Sequence, residues 1–173
     1  VKLKRIVWEF RVKFFRLFLI AMFMAVPAFS APRTIYPVPL QARADIAAAL
    51  KTAPAAHKRV ILDFGGNWCP DCIVLDMYLH NEQNRPLLEA NYVLVHVNVG
   101  VYDANLDLAA KYAIPLKIGV PALAVLDERG KLLYSQTNGE FEKMGRMQPA
   151  SVTSFLTRWK PGSKPCSVVA LSC

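Results

Sequence analysis

Two cysteines three residues apart, Cys69 and Cys72, stand where an apolar run, Val60-Ile61-Leu62-Asp63-Phe64, breaks at Gly65-Gly66. Beyond them Ile73, Leu75, Tyr78 and Leu79 recur at helical spacing. This pattern predicts a buried strand, a sharp glycine turn and a helix that carries both thiols on its first turn, near enough to close a small ring. At a helix N-terminus the peptide dipoles and free N–H groups stabilise an anion, so Cys69 suits a thiolate that attacks disulfides. Cys72, one turn deeper, is then the resolving thiol. A structural disulfide or half of a zinc site are the other uses of such a pair. A four-cysteine zinc site would have to recruit Cys166 and Cys173, whose separation and flexible approach fit zinc-ligand spacing poorly.

The elements needed to position these thiols can be followed along the chain. Gln41 to Ala53 reads as an Ala-rich helix with Ile46 and Leu50 on a packing face, ended by Pro54. The strand at 60–64 and the cysteine-bearing helix, running to about Asn81, come next, and Pro86 opens a short helical piece through Ala90. Tyr92 to Val99 is too uniformly apolar for an exposed sheet and is expected to be a central strand parallel to the first. Asp103 is placed to cap a helix carrying Leu106, Leu108, Ala109 and Tyr112. After a loop at Gly119-Val120-Pro121, a strand over Ala122 to Leu126 turns at Asp127-Glu128-Arg129-Gly130 into a second, Lys131 to Thr137, as a hairpin. Gly139 opens a loop with Met144 and Met147, which read as adaptable packing residues or, in a rival reading, as a soft substrate contact or copper ligands. Pro149 to Trp159 forms the last helix, with Val152, Phe155, Leu156 and Trp159 on one face.

A chain of 173 residues, 54% hydrophobic, has enough apolar material for one domain with a real core. Its formal charge of +8 resembles a nucleic-acid signal until it is divided. Six Lys and Arg fall within residues 1–30 against one Glu, leaving fifteen scattered basic residues against twelve acidic ones. No phosphate-binding footprint remains. Within 1–30, six basic residues precede the apolar run Leu17 to Val26, and small residues follow at Ala28 and Ser30. That order predicts a secretory signal cleaved between Ser30 and Ala31, with an uncleaved anchor as the alternative. The expected divisions are a leader at 1–30, a lead-in and helix at 31–57, the main domain at 58–160 and a cysteine-containing tail at 161–173. Outside the cytoplasm disulfides persist, so Cys166 and Cys173 can pair with each other in the tail.

The order β-α-β-α-β-β-α, with Trp68-Cys69-Pro70-Asp71-Cys72 at the first strand-to-helix junction, resembles the thioredoxin fold. The fold class expected is α/β, a three-layer α/β/α arrangement around a mixed sheet, preceded by an extra N-terminal helix. The resemblance implies further roles. Asp63 occupies the place of the family's buried acid and would take and return the Cys72 proton. Val120-Pro121 resembles the segment holding the family's cis-proline, which exposes the backbone of Val120 to a substrate peptide. Gly139 falls where a glycine lines the substrate groove, and Trp68 would be part groove wall and part core. Pro70 and Asp71, between the cysteines, would tune the couple. His96 stands where thioredoxins often carry a lysine near that acid; it reads as a lone core histidine or as a partner of Asp63. Departures are Gly65 in place of a common aromatic, a longer segment at 113–118 and an insertion at 140–148.

The function expected is that of an exported, bacterial and periplasmic thiol:disulfide oxidoreductase that reduces disulfides of client proteins. A membrane electron donor would re-reduce it. It needs no metal or organic cofactor, since the cysteine pair itself carries the electrons. Isomerase or oxidase activity is the alternative within the class, and a copper- or thiol-binding chaperone the alternative outside it.

Overall fold

The computed structural model describes residues 34–163. The leader at 1–30 and the Cys166 and Cys173 pairing lie outside the described residues. The elements run α1 (Ala42–Ala56), β1 (Arg59–Gly65), α2 (Pro70–Leu79), α3 (Arg85–Asn91), β2 (Tyr92–Asn98), α4 (Leu106–Lys111), β3 (Ala122–Leu126), β4 (Leu132–Ser135) and α5 (Pro149–Trp159). Short 3-10 turns occupy Pro39–Gln41 and Met144–Arg146.

The strands form one mixed sheet in the order β2-β1-β3-β4. β1 runs parallel to β2 and antiparallel to β3, which pairs antiparallel with β4. Side chains of a strand alternate between faces, and β1 uses both. Val60, Leu62 and Phe64 pack with Ala42, Ile46, Ala49 and Ala53 of α1 and with Leu108 and Ala109 of α4. Ile61 packs on the other face with Leu75 and Leu79 of α2, Leu88 of α3, and Val152, Phe155 and Leu156 of α5. The result is the three-layer α/β/α arrangement expected, with α1 ahead of the sheet. Among the described residues no helix is long and apolar enough to cross a membrane.

Several local expectations change. β2 is parallel to β1 as expected but lies at the sheet edge, not its centre. Its apolar run is accounted for by helices over both faces, with Val95 and Val97 in one core and Tyr92 in the other. Pro54 does not end α1; it sits inside the last turn, and the helix closes at His57, whose φ of 53° is left-handed. A proline that near the C-terminus removes one N–H and leaves the following residues free to complete the turn. Asp103 does not cap α4, whose N-cap is Asn105. The Asp103 carboxylate instead accepts the Val101 N–H at 3.0 Å and closes the preceding turn.

Candidate active site

β1 ends at Gly65, the chain turns through Gly66, Asn67 and Trp68, and α2 begins at Pro70 with Cys69 as its N-cap. Proline is well suited to the first helical position, because the N–H it lacks would have no partner within the helix. Cys69 and Cys72 form a disulfide with their Cα atoms 5.2 Å apart. The Cys72 backbone N–H donates to Cys69 Sγ at 3.2 Å, so the sulfur stands where a capping oxygen would. An anion at this position is favoured both by that N–H and by the helix dipole. Cys72 is fully buried, while Cys69 keeps 4% of its surface exposed.

The Val120-Pro121 peptide is cis, and the Val120 carbonyl oxygen lies 3.5 Å from Cys69 Sγ. Gln136, fully buried, secures this segment from beyond β4. Its Nε2 donates to the Pro121 carbonyl at 3.3 Å and its Oε1 accepts the Leu123 N–H at 3.3 Å. Gly139, at a φ of 68°, lies against Ile118 and Glu142, and a Cβ there would stand 2.7 Å from Ile118 Cγ2. A cavity of about 580 Å³ adjoins Gly119 and is lined by Tyr102, Leu106, Leu116, Lys117 and Ile118. Trp68 is 47% exposed and so is not part of the core. Its Nε1 donates to the Gly100 carbonyl and its ring lies 5.4 Å from that of Tyr102.

Asp71 is engaged in a way its position in the sequence does not disclose. Its Oδ1 accepts the Gly145 N–H at 2.7 Å and ties the Met144–Arg146 turn, part of the 140–148 insertion, to the start of α2. Met144 is fully buried in the core that contains Leu75 and Leu79, and Met147 packs against the same core. Both methionines therefore serve packing.

Asp63 has no exposed surface, and its neighbours are specific. Tyr36 Oη donates to its Oδ2 at 2.7 Å, and His96 Nδ1 lies 2.9 Å from the same oxygen. Oδ1 has no hydrogen-bond partner among the described residues. His96 faces Asp63 directly in the β1–β2 register, so it is a partner of the acid and not a lone core histidine. Its Nε2 is 3.7 Å from Asp76 Oδ1, which in turn lies 3.0 Å from His80 Nδ1.

The structure thus gathers Asp63, Cys69, Cys72, Val120 and Pro121 at one end of β1, with Trp68 beside them and Gly139 next to the Ile118-Gly119 approach. Tyr36, Asn67, Asp76 and Gln136 are additional members that sequence reasoning missed. The one signal for Tyr36 was the small residue at Gly65, which leaves room for a side chain from elsewhere.

The model of the thioredoxin-like family matches residues 41–128. The match begins before α1, so it includes the helix that the sequence reading left outside the resemblance. A disulphide isomerase from Xylella fastidiosa Temecula1 superposes with a TM-score of 0.69 at 32% identity, over 73% of this chain and 97% of that one. A thioredoxin from Thermus thermophilus gives a TM-score of 0.48 at 24% identity, over 70% and 82%. The oxidised C-terminal domain of DsbD from Neisseria meningitidis gives 0.42 at 23%, over 54% and 81%. No curated protein matches the chain. With half of the chain matched by the family model, and with a relative one-third identical matched over nearly its whole length, the chain belongs to the thioredoxin-like family.

Proposed function

We propose that the protein is an exported thiol:disulfide oxidoreductase whose main direction is reduction of disulfides in client proteins. The observation that carries the oxidoreductase reading is the Cys69 sulfur acting as the N-cap of α2, 3.2 Å from the Cys72 nitrogen, beside the Val120 carbonyl; the reductive direction is supported by Asp71 between the cysteines. In the reduced protein Cys69 thiolate attacks one sulfur of a client disulfide. The client S–S bond breaks, a mixed disulfide forms at Cys69, and the first client thiolate leaves and takes a proton. Asp63 then accepts the Cys72 proton, and Cys72 attacks Cys69 Sγ. The mixed disulfide breaks, the Cys69–Cys72 bond forms, and the second client thiolate takes the proton back from Asp63. Two electrons pass to the client, and a membrane-bound dithiol donor would restore the pair. The backbone of Val120 would pair with an extended client segment, and Trp68 and Gly139 would border the groove.

Isomerisation is the second reading, supported by the name of the Xylella protein at 32% identity. It uses the same first step but lets the client's own thiol resolve the mixed disulfide. With dithiothreitol as donor, the protein should reduce the interchain disulfides of insulin well above the uncatalysed rate, and Cys69→Ser should remove the acceleration entirely. Equal turnover by wild type and Cys69→Ser would sink the assignment.

A further inference from the structure

Gly65 has no side chain, and the space beside it is shared by two atoms. A Cβ on Gly65 would stand 2.5 Å from Tyr36 Oη and 2.8 Å from Cys72 Sγ. The phenol of Tyr36 and the buried resolving sulfur therefore border the same gap, the one that glycine leaves at the end of β1. The phenol comes from the lead-in segment, which is held at this end of the sheet by three asparagines. Asn67, two residues before Cys69, accepts the Ile35 and Tyr36 N–H groups at 3.0 Å each and donates to the Tyr36 carbonyl at 2.8 Å. Asn98 donates to the Pro37 carbonyl at 2.8 Å and Asn105 to that of Pro39 at 2.9 Å. Tyr36 is 1% exposed, and its ring meets that of His96 edge-on at 5.0 Å.

We propose that Tyr36 is a positioning residue for thiol exchange: its hydroxyl holds Asp63 by Oδ2 and leaves Oδ1 as the oxygen that takes the Cys72 proton. The inference rests on the reading that Asp63 is that proton acceptor. A hydrogen bond donated to a carboxylate favours its charged form. Removing the donor takes away both the bond that fixes the carboxylate and the interaction that favours the anion, the form able to accept a proton. The phenol does not itself give up its proton, because burial first and the Asp63 charge second push its ionisation far above the ordinary tyrosine range. The other ionisable group in contact with Asp63 is His96 on β2, whose Nε2 leads to Asp76 of α2 with His80 beside it, while Cys72 borders the gap at Gly65 that Tyr36 shares. β3 presents Leu123 opposite Asp63 and adds no charge.

The test is the decay of a mixed disulfide between Cys69 and glutathione, followed by rapid acid quench from pH 5 to 9 in wild type, Tyr36→Phe and Asp63→Asn. Tyr36→Phe keeps the ring and its packing, and thermal melts identify any variant that fails to fold. The pH of half-maximal resolution should rise by about one unit in Tyr36→Phe, with a roughly tenfold loss of rate below the wild-type midpoint. Asp63→Asn should move the profile to the range of a thiol without a base, pH about 8.5 or above. A Tyr36→Phe profile that overlays wild type while Asp63→Asn shifts would overturn the role of Tyr36 alone. Wild-type profiles in both variants would overturn the Asp63 reading as well. As a second route, Asn67→Ala, which frees the Tyr36 backbone, should move the midpoint in the same direction as Tyr36→Phe; no movement counts against the proposal.

Discussion

Cys72→Ser should accumulate mixed disulfides with client proteins, whereas Cys69→Ser should accumulate almost none. The asymmetry follows from where the two sulfurs sit. Cys69 caps α2, is the cysteine with exposed surface, and lies 3.5 Å from the Val120 carbonyl where a client backbone would pair. Cys72 is fully buried behind it, out of reach of any incoming disulfide. Without Cys72 the first attack still occurs, but nothing resolves the adduct, so clients remain attached and appear as reducible bands on non-reducing gels. Without Cys69 the described residues offer no accessible thiol. Equal trapping by the two variants would contradict the order of attack.

Asp63→Asn should slow resolution at neutral pH about a hundredfold, the lower end of what a positioned general base supplies. Attack by Cys69 on a client disulfide should change far less, since that step needs no proton from Cys72. Stability should not fall in parallel. A buried carboxylate whose Oδ1 has no partner among the described residues is expensive to desolvate, and the amide of Asn removes the charge while keeping the shape. Single-turnover kinetics of the two steps, combined with urea unfolding of both proteins, separate the outcomes. A variant that unfolds more easily yet resolves at the wild-type rate would make Asp63 a structural residue.

The parts of this site that could be seen in the sequence are those governed by local rules. Gly65-Gly66 and Pro70 mark a strand-to-helix junction, and the position of two cysteines on that junction determines which one caps the helix. Asp63 could be placed in a buried strand because its neighbours Leu62 and Phe64 are apolar. What could not be seen depends on contacts between distant segments. His96 faces Asp63 only through the parallel register of β1 and β2. Tyr36 lies in a lead-in that carries no periodicity, and the place of that segment depends on the side chains of Asn67, Asn98 and Asn105, all far along the chain. Gln136 reads as an ordinary residue at a strand end, yet it holds the Pro121 carbonyl. The edge position of β2 was obscured for a related reason: burial by helices and burial by neighbouring strands produce the same apolar run. Pro54 shows the limit of a local rule, since a proline one turn from a helix end does not stop it.

The proposed reductive direction rests on Asp71. The Asp71 carboxylate, two residues after Cys69, opposes a thiolate there; two charges about 6 Å apart interact by roughly 1 kcal/mol at an effective dielectric between surface and bulk values. Thiolate stabilisation makes an oxidant, so a charge that opposes it moves the couple towards reduction. Thioredoxin at about −270 mV and the strong oxidase of this fold at about −120 mV mark the two ends of the scale. One carboxylate does not span that interval, but no histidine stands between the cysteines to pull the other way, since residues 70 and 71 are Pro and Asp. The most direct measurement is the reduction potential of the Cys69–Cys72 couple, obtained by equilibrating the purified protein with a dithiothreitol redox series and counting free thiols. A value below about −220 mV is the result expected of a reductase, and a value more oxidising than about −180 mV would contradict it in favour of isomerisation or oxidation.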